Sequence, residues 1–488
     1  MGTTTDTLGH YIAGKWMIPR DEQWRPDLNP SDTSHVLAQV PQGQPEVVDR
    51  AVDAAHSAFP AWKALVGPDK AELLHKAANL LAQRRQDLGA VVALEVGKPI
   101  GEALAEVDRG VAILRYYAEE AVHPNGQVIP AQTAGSLQFS LRQPLGPVAV
   151  ISPWNFPVAI PLWKMAPALA YGNTIIWKPA ETASLTASRL AQVFADAGLP
   201  PGVLNLILGR GSTIGNALTS HTGLRAITFT GSNDVGMGIA QNAARNNIKY
   251  QLEMGGKNAA IVLADADLNQ AAKLIASGAM RYAGQKCTAT SRAVVLAGVT
   301  DRFVDRLTSE IRALPVAPAS DPKSAVGPLI AQDALEKVSA YAEMGAKSGQ
   351  VVLGGRRPES EPLNRGYFFE PTVIINVAPD ARVAQEEIFG PVLVLHQARS
   401  IEEAIDIANS TKYGLSVSLF TRDINAMLEY IPAIECGMVR VNGDTTGVDP
   451  HAPFGGMRSS SSHSREQGPA AIEFFTETKT VQINPARG

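Results

Sequence analysis

The sequence predicts an α/β protein of at least two domains, and three observations carry that prediction. At 488 residues the chain exceeds the ~250–300 at which a single hydrophobic core stops growing. From residue 146 onward short Val/Ile-rich runs alternate with helical stretches, the signature of a parallel sheet covered by helices. The alternation occurs twice, over 146–262 and again over 267–440, so two sheets are expected.

The opening MGTTTDTLGHYIAGKW lacks the apolar centre of a signal peptide, and nothing later approaches the ~18 unbroken apolar residues of a membrane span. A cytoplasmic chain with no membrane partner is expected. Gly2 would suit a myristoyl group, but Asp6 stands where that motif needs Ser or Thr. From 46 to 121, EVVDRAVDAAHSAFPAW and DKAELLHKAANLLAQRRQDLGAVVALEVG place apolar residues at helical spacing, predicting a helical N-terminal layer. GQVIPAQTAGSLQFSLRQPLG then reads as a β-hairpin. PVAVISP, NTIIWKP, VLNLILG, AITFTG and NAAIVLA are the expected strands of the first sheet, and SRAVVLAG, FEPTVIINV, GPVLVLHQ, GLSVSLFT and GMVRVN those of the second. The hairpin and the C-terminal EFFTETKTVQINP expose strand edges that either pair within the chain or are covered by a partner subunit. SSSSHS at 459–464 is expected to be a flexible loop.

Composition narrows the function. Apolar residues make up 45% and charged residues 18%, as in ordinary soluble globular proteins. Lys plus Arg (43) against Asp plus Glu (47) gives a charge of −4 without a long basic block, which argues against a nucleic-acid partner. The two cysteines, Cys287 and Cys436, are expected as free thiols of a reducing compartment. Cys436, in IECGMVRVN, reads as a small core residue before a strand.

Cys287, in GQKCTATSR, keeps polar company in Lys286, Thr288 and Thr290, which suits a partly exposed thiol. It is a candidate nucleophile, with a structural thiol as the competing reading. In SPWNFPVAIPLWK, prolines bracket Trp154 and Asn155 directly after a strand, where ligand sites of open α/β sheets lie. An amide fixed there donates to an oxyanion or closes an Asx-turn. Glu253, before the Gly-Gly pair of QLEMGGKN, is a general base or a cap or ion-pair partner. In TFTGSNDVG, Gly231 and Ser232 follow a strand and open a helix, a turn able to face a pyrophosphate.

PWNFP, WKPAE, FTGS, LEMGGKN, GQKCT, EEIFGPV and PFGG, in this order, resemble the aldehyde dehydrogenase superfamily across nearly the whole chain. The 34-residue interval from Glu253 to Cys287 is also that family's. The resemblance implies an aldehyde dehydrogenase-like fold of two Rossmann-like domains with a β-hairpin oligomerisation element. Residues 1–121 and 146–255 would bind NAD, 256–460 would be catalytic, and 122–145 with 469–488 would join copies into a homodimer or homotetramer. Cys287 thiolate would attack a small-molecule aldehyde, Asn155 and the Cys287 backbone N–H would hold the oxyanion, and Glu253 would activate the water that hydrolyses the thioester. Lys164 joins this catalytic set.

For the cofactor, the resemblance implies Lys178 and Glu181 at the adenosine ribose, and Glu387 and Phe389 at the nicotinamide side. Gly211, Gly231 and Ser232 would face the dinucleotide, with Ile151, Trp154 and Met254 completing the contacts. The family does not use GxGxxG, and no metal is implied. A carboxylate at Glu181 predicts NAD preferred, NADP possible.

GQKCTATSR, GVDPHAPFGG and SREQG look most like the α-ketoglutaric semialdehyde (2,5-dioxovalerate) dehydrogenases, which implies a short ω-oxo acid substrate. Arg281 would then meet the substrate carboxylate, with Trp163, Phe156 and Phe454 as apolar walls. Two departures stand out: MRSSSSHSREQG lacks the superfamily's glycines, and Trp163 stands where succinic semialdehyde dehydrogenases carry arginine. Succinic semialdehyde or an aromatic or aliphatic aldehyde is the alternative substrate. Readings of another class are a cysteine hydrolase with His451 or His463 as partner, and a silent structural homologue, which would be expected to lose Cys287 or Glu253.

Overall fold

The computed structural model describes residues 6–20, 23–123 and 126–486; Gly2 lies outside them. Two seven-stranded sheets dominate. The first runs, edge to edge, through Lys249–Glu253, Ala226–Thr230, Pro147–Ser152, Thr174–Pro179, Leu204–Leu206, His10–Ile12 and Lys15–Met17. Its first five strands are parallel and its last two antiparallel. Thr174–Pro179 is buried along its entire length, as expected of a parallel strand covered on both faces. No periodicity in GHYIAGKWM marked the two antiparallel edge strands, which are only three residues each.

The second sheet runs through Gln350–Leu353, Thr372–Ile375, Val392–Ala398, Arg292–Leu296, Ala259–Val262, Ser416–Phe420 and Met438–Val441, parallel except at the first edge. NAAIVLA therefore lies inside this sheet, between Arg292–Leu296 and Ser416–Phe420, and not in the first sheet, where its position in the sequence places it. The reason is the short crossing 254–258, which carries the chain from Glu253 at the end of one sheet to Ala259 at the start of the other.

The helices Glu46–Ala64, Gly67–Gln83, Arg85–Val96 and Ile100–Glu120 form the N-terminal layer. Beneath it, Ala159–Ala170 is buried on every side. Its N-terminal amides need acceptors, and Glu106 supplies one from the neighbouring helix: Val158 N and Ala159 N donate to Glu106 Oε1 at 2.8 and 3.0 Å. Glu106 also pairs with buried Lys98.

A third sheet joins Val128–Ile129, Leu137–Pro144 and Thr476–Ile483, all antiparallel. The C-terminal strand thus covers one edge of the hairpin within the chain. The serine run differs from the flexible loop expected of it. Ser460 and Ser461 are buried, Met254 N donates to Ser460 O at 2.7 Å, and Met457–Arg458 pairs with Tyr413–Gly414. Small hydroxyl side chains let this segment pack against Glu253, and low sequence complexity does not report that. No helix among the described residues is long and apolar enough to cross a membrane.

Candidate active site

The carboxyl ends of the first sheet face the amino ends of the second. Pro147–Ser152 and Ala226–Thr230 flank the point where strand order reverses, and Pro153–Asn155 and Gly231–Ser232 emerge there. Opposite them, Cys287 precedes Arg292–Leu296 and Glu387–Phe389 precede Val392–Ala398. Two cavities meet on this line, of about 310 and 230 Å³, and Cys287 borders both.

The Cys287 segment is held by its backbone. Tyr282, Ala283 and Gly284 are left-handed, with φ of 55°, 51° and 65°. A Cβ on Gly284 would stand 2.4 Å from Gly390 O, so glycine is required there. Asn258 Nδ2 donates to Cys287 O at 2.8 Å. Asn155 Nδ2 donates to Gln285 O at 3.0 Å and borders the first cavity, leaving its second N–H for a ligand. Burial, reinforced by the charges of Glu387 and Glu253, pushes the thiol up to about 12. At neutral pH it is protonated, and only the thiolate reacts with alkylators. Iodoacetamide modification of Cys287 should therefore rise about tenfold per pH unit between pH 7 and 9. Glu387→Gln, removing a negative charge beside the thiolate, should speed it several-fold at pH 8. A rate that levels off below pH 8 in the unsubstituted protein would contradict a raised thiol.

Glu253 ends the strand Lys249–Glu253 and does not border either cavity. Its Oε2 accepts from Ser461 Oγ at 2.5 Å, while Oε1 is buried without a partner among the described residues. Burial and the charge of Glu466 hold its carboxyl well above the usual range. Lys164, grouped with the catalytic residues from the sequence, is turned elsewhere: it pairs with buried Glu466 and donates to Thr228 Oγ1 at 3.0 Å. A fully buried ammonium needs such a partner, and the interior of an apolar helix offers none of its own.

A crevice of about 750 Å³ opens from the first cavity, bordered by Ile151, Trp154, Lys178, Gly211, Gly231 and Ser232. Met254, Glu387 and Phe389 border the first cavity itself. Gly211 has open space where a side chain would stand, and Thr230 Oγ1 is buried without a partner among the described residues, so bare backbone and an unused hydroxyl face the region. The helix Asn233–Arg245 directs its amino end there. These residues fit a dinucleotide. Gly231 itself is dictated from within, since a Cβ there would stand 2.4 Å from the Phe229 ring. Glu181 sits at the rim, accepting from Gly211 N at 3.1 Å and pairing with Arg25 at 3.3 Å. Glu387 Oε1 accepts from Gly256 N at 3.0 Å, and Gly255 packs so closely on this carboxylate that any Cβ would clash.

Phe156, Trp163 and Phe454 border the second cavity, the last two with ring centroids 5.2 Å apart. Arg281 does not border it. The helix Leu268–Met280 ends just before Arg281, whose side chain is 40% exposed and whose Nε pairs with Glu102 at 3.1 Å. Lys286 takes the other Glu102 oxygen at 2.9 Å. Among the described residues, the cation that does border this cavity with no carboxylate partner is Arg109, which helical periodicity alone does not distinguish from any other surface arginine. Ser461 and Arg25 were likewise not marked by any motif. His451 and His463 are exposed and border neither cavity, so the hydrolase reading lacks its base.

A thiol between the cavity that opens into the dinucleotide crevice and a second cavity walled by Phe156, Trp163 and Phe454 suits an aldehyde-oxidising class of enzyme. Residues 16–481 match the model of the aldehyde dehydrogenase family, and the chain belongs to that family. It is 45% identical over 484 residues to an alpha-ketoglutaric semialdehyde dehydrogenase of Bacillus subtilis, covering 99% of each chain. It is 38% identical to an alpha-ketoglutarate semialdehyde dehydrogenase of Haloferax volcanii, covering 98% of this chain and 99% of the relative. The crystal structure of a betaine aldehyde dehydrogenase from Staphylococcus aureus in complex with NAD+ superposes with a TM-score of 0.95 at 32% identity, covering 98% of this chain and 95% of that one.

Proposed function

We propose that the enzyme oxidises a short ω-oxo acid, such as α-ketoglutaric semialdehyde, to the dicarboxylic acid, with NAD as the preferred cofactor and hydrolysis of a Cys287 thioester. The observation that carries this reading is the position of Cys287 on the border of both cavities, reachable by an aldehyde from one side and by a dinucleotide from the other. The names of the semialdehyde-oxidising relatives support the substrate class.

The Cys287 thiol first loses its proton to solvent in the cavity; the thiolate then adds to the aldehyde carbon, and the carbonyl oxygen becomes an alkoxide held by Asn155 Nδ2 and the Cys287 backbone N–H. When bound, NAD supplies the acceptor for the hydride that leaves this carbon. Cys287 then carries a thioester. Glu253, freed from Ser461 and turned toward the sulfur, takes a proton from water as the water attacks, and the acid departs with Cys287 restored. A carboxyl held above its usual range is a stronger base than an exposed one, provided its own proton has been lost.

Lys178 and Glu181 hold the adenosine ribose in this reading, and Glu387 and Phe389 the nicotinamide side. The first sheet with the helical layer (1–121 and 146–255) serves the dinucleotide, and 256–460 serves catalysis. Two or four cytoplasmic copies join through 122–145 and 469–488, where Val128, Leu137, Leu141 and Ile483 lie exposed. Absorbance of reduced nicotinamide over a panel of aldehydes tests the function: highest kcat/KM with five-carbon ω-oxo acids is expected, and a preference for benzaldehyde or hexanal would overturn it.

Cofactor choice follows from one carboxylate. Glu181 accepts from a ribose 2′-hydroxyl but repels a 2′-phosphate, so kcat/KM should favour NAD over NADP by at least about tenfold. In Glu181→Ser the neighbouring Arg25 loses its partner and becomes available to a phosphate, and the preference should narrow by about tenfold. An unchanged NAD/NADP ratio in that variant would remove Glu181 from the cofactor site.

A further inference from the structure

Four charged side chains border the second cavity: Glu102, Glu106 and Arg109 from the helix Ile100–Glu120, and Lys286. Spacing of three or four residues puts the first three on one helical face. Both carboxylates are already matched. Glu102 is held by Lys286 and Arg281, and Glu106 by Lys98 and two backbone amides.

Arg109 is not matched. Its Nη2 donates to Val448 O, its guanidinium lies 6.0 Å from the Trp163 ring centroid, and its Nε is buried with no acceptor among the described residues. Glu106 and Asp449 act on it only through space. A guanidinium carries five N–H donors in a fixed fork, and with Nε buried and Nη2 tied to Val448, Nη1 is the end left to donate charge-assisted hydrogen bonds to a carboxylate in the cavity. Phe156, Ile160, Trp163, Val448 and Phe454 line the remainder and suit methylene groups.

We propose that Arg109 is the specificity residue that binds the carboxylate of the substrate, at the end remote from the aldehyde. The inference rests on the ω-oxo acid reading above and assigns the recognition to Arg109 in place of Arg281. A neutral aldehyde of the same length leaves the guanidinium desolvated and unpaired, so the residue discriminates against one class as well as favouring the other.

The test compares α-ketoglutaric semialdehyde with pentanal as substrates of the unsubstituted enzyme and of Arg109→Ala, Arg109→Gln, Arg109→Lys and Arg281→Ala, with circular dichroism melting to verify folding. In Arg109→Ala and Arg109→Gln, KM for the semialdehyde should rise about tenfold to a hundredfold. The ratio of kcat/KM for semialdehyde over pentanal should fall by the same factor. Arg109→Lys should recover part of that ratio, and Arg281→Ala should shift it by less than about threefold. An unchanged ratio in both neutral variants, or equal loss toward both substrates in every folded Arg109 variant, overturns the assignment and leaves Arg109 as a tether for the Val448 loop. If the unsubstituted enzyme itself prefers pentanal, the substrate reading fails and this inference falls with it. The two failures are told apart by which protein shows them.

Discussion

Cys287→Ala should abolish aldehyde oxidation, lowering kcat by at least about a thousandfold, while NAD affinity stays within about twofold. The thiol provides the only covalent bond to the aldehyde carbon in the proposed sequence, and alanine offers no nucleophile in its place. The crevice that suits the dinucleotide is built from other residues, chiefly around Lys178, Gly211 and Gly231, so its shape survives the change. Steady-state absorbance and fluorescence titration with the reduced dinucleotide separate the two quantities. Full turnover by the alanine variant would end the thioester mechanism. Loss of both activity and dinucleotide binding would point to a collapsed loop, which the left-handed run before Cys287 makes a fair control to monitor by melting temperature.

Glu253→Gln should divide the reaction in time. Hydride transfer needs the thiol and the oxyanion donors, whereas hydrolysis of the thioester needs a base, and glutamine cannot accept the proton. Removing a general base costs typically 10²–10⁴-fold in the step it serves. Stopped-flow mixing should therefore show a burst of reduced dinucleotide approaching one equivalent per site, followed by a steady rate slower by about that factor. A variant with no burst and no slow phase would mean that Glu253 also activates Cys287. A variant with unchanged steady rate would remove it from the chemistry. The amide keeps the contact with Ser461 Oγ available, so a folding defect is not the expected result.

Much of this architecture was readable in advance because parallel strands buried on both faces leave unbroken apolar runs. PVAVIS, TIIWKP and AITFT became three adjacent strands of the first sheet. The short strands His10–Ile12 and Lys15–Met17 left no such trace, since three residues cannot show a period. Site residues announced themselves where chemistry forces backbone constraints. The prolines around Asn155, the Gly-Gly after Glu253 and the glycine before Cys287 each mark a place where chain and side chain must approach closely. Residues whose roles depend on what lies across a cavity gave no signal. Arg281 is near Cys287 in sequence but faces Glu102, and Arg109, 178 residues from Cys287 in the sequence, borders the same cavity. Ser461 was hidden by a low-complexity run whose packing no periodicity describes.

Three consecutive left-handed residues before Cys287 have a meaning for engineering. Such torsions cost an ordinary side chain about 1–2 kcal/mol each, and Tyr282 and Ala283 both adopt them. Tyr282 is fully buried, under Lys98 and with its hydroxyl donating to Val96 O at 3.3 Å, so packing enforces the strain. Ala283→Gly relaxes the native chain but also enlarges the unfolded ensemble, and the two effects have opposite signs and similar size. A search for stabilising substitutions scored on the native state alone would select that change for the wrong reason. The same substitution loosens the anchor of the sulfur, so gains in robustness at this turn come at the expense of positional accuracy where bonds are made.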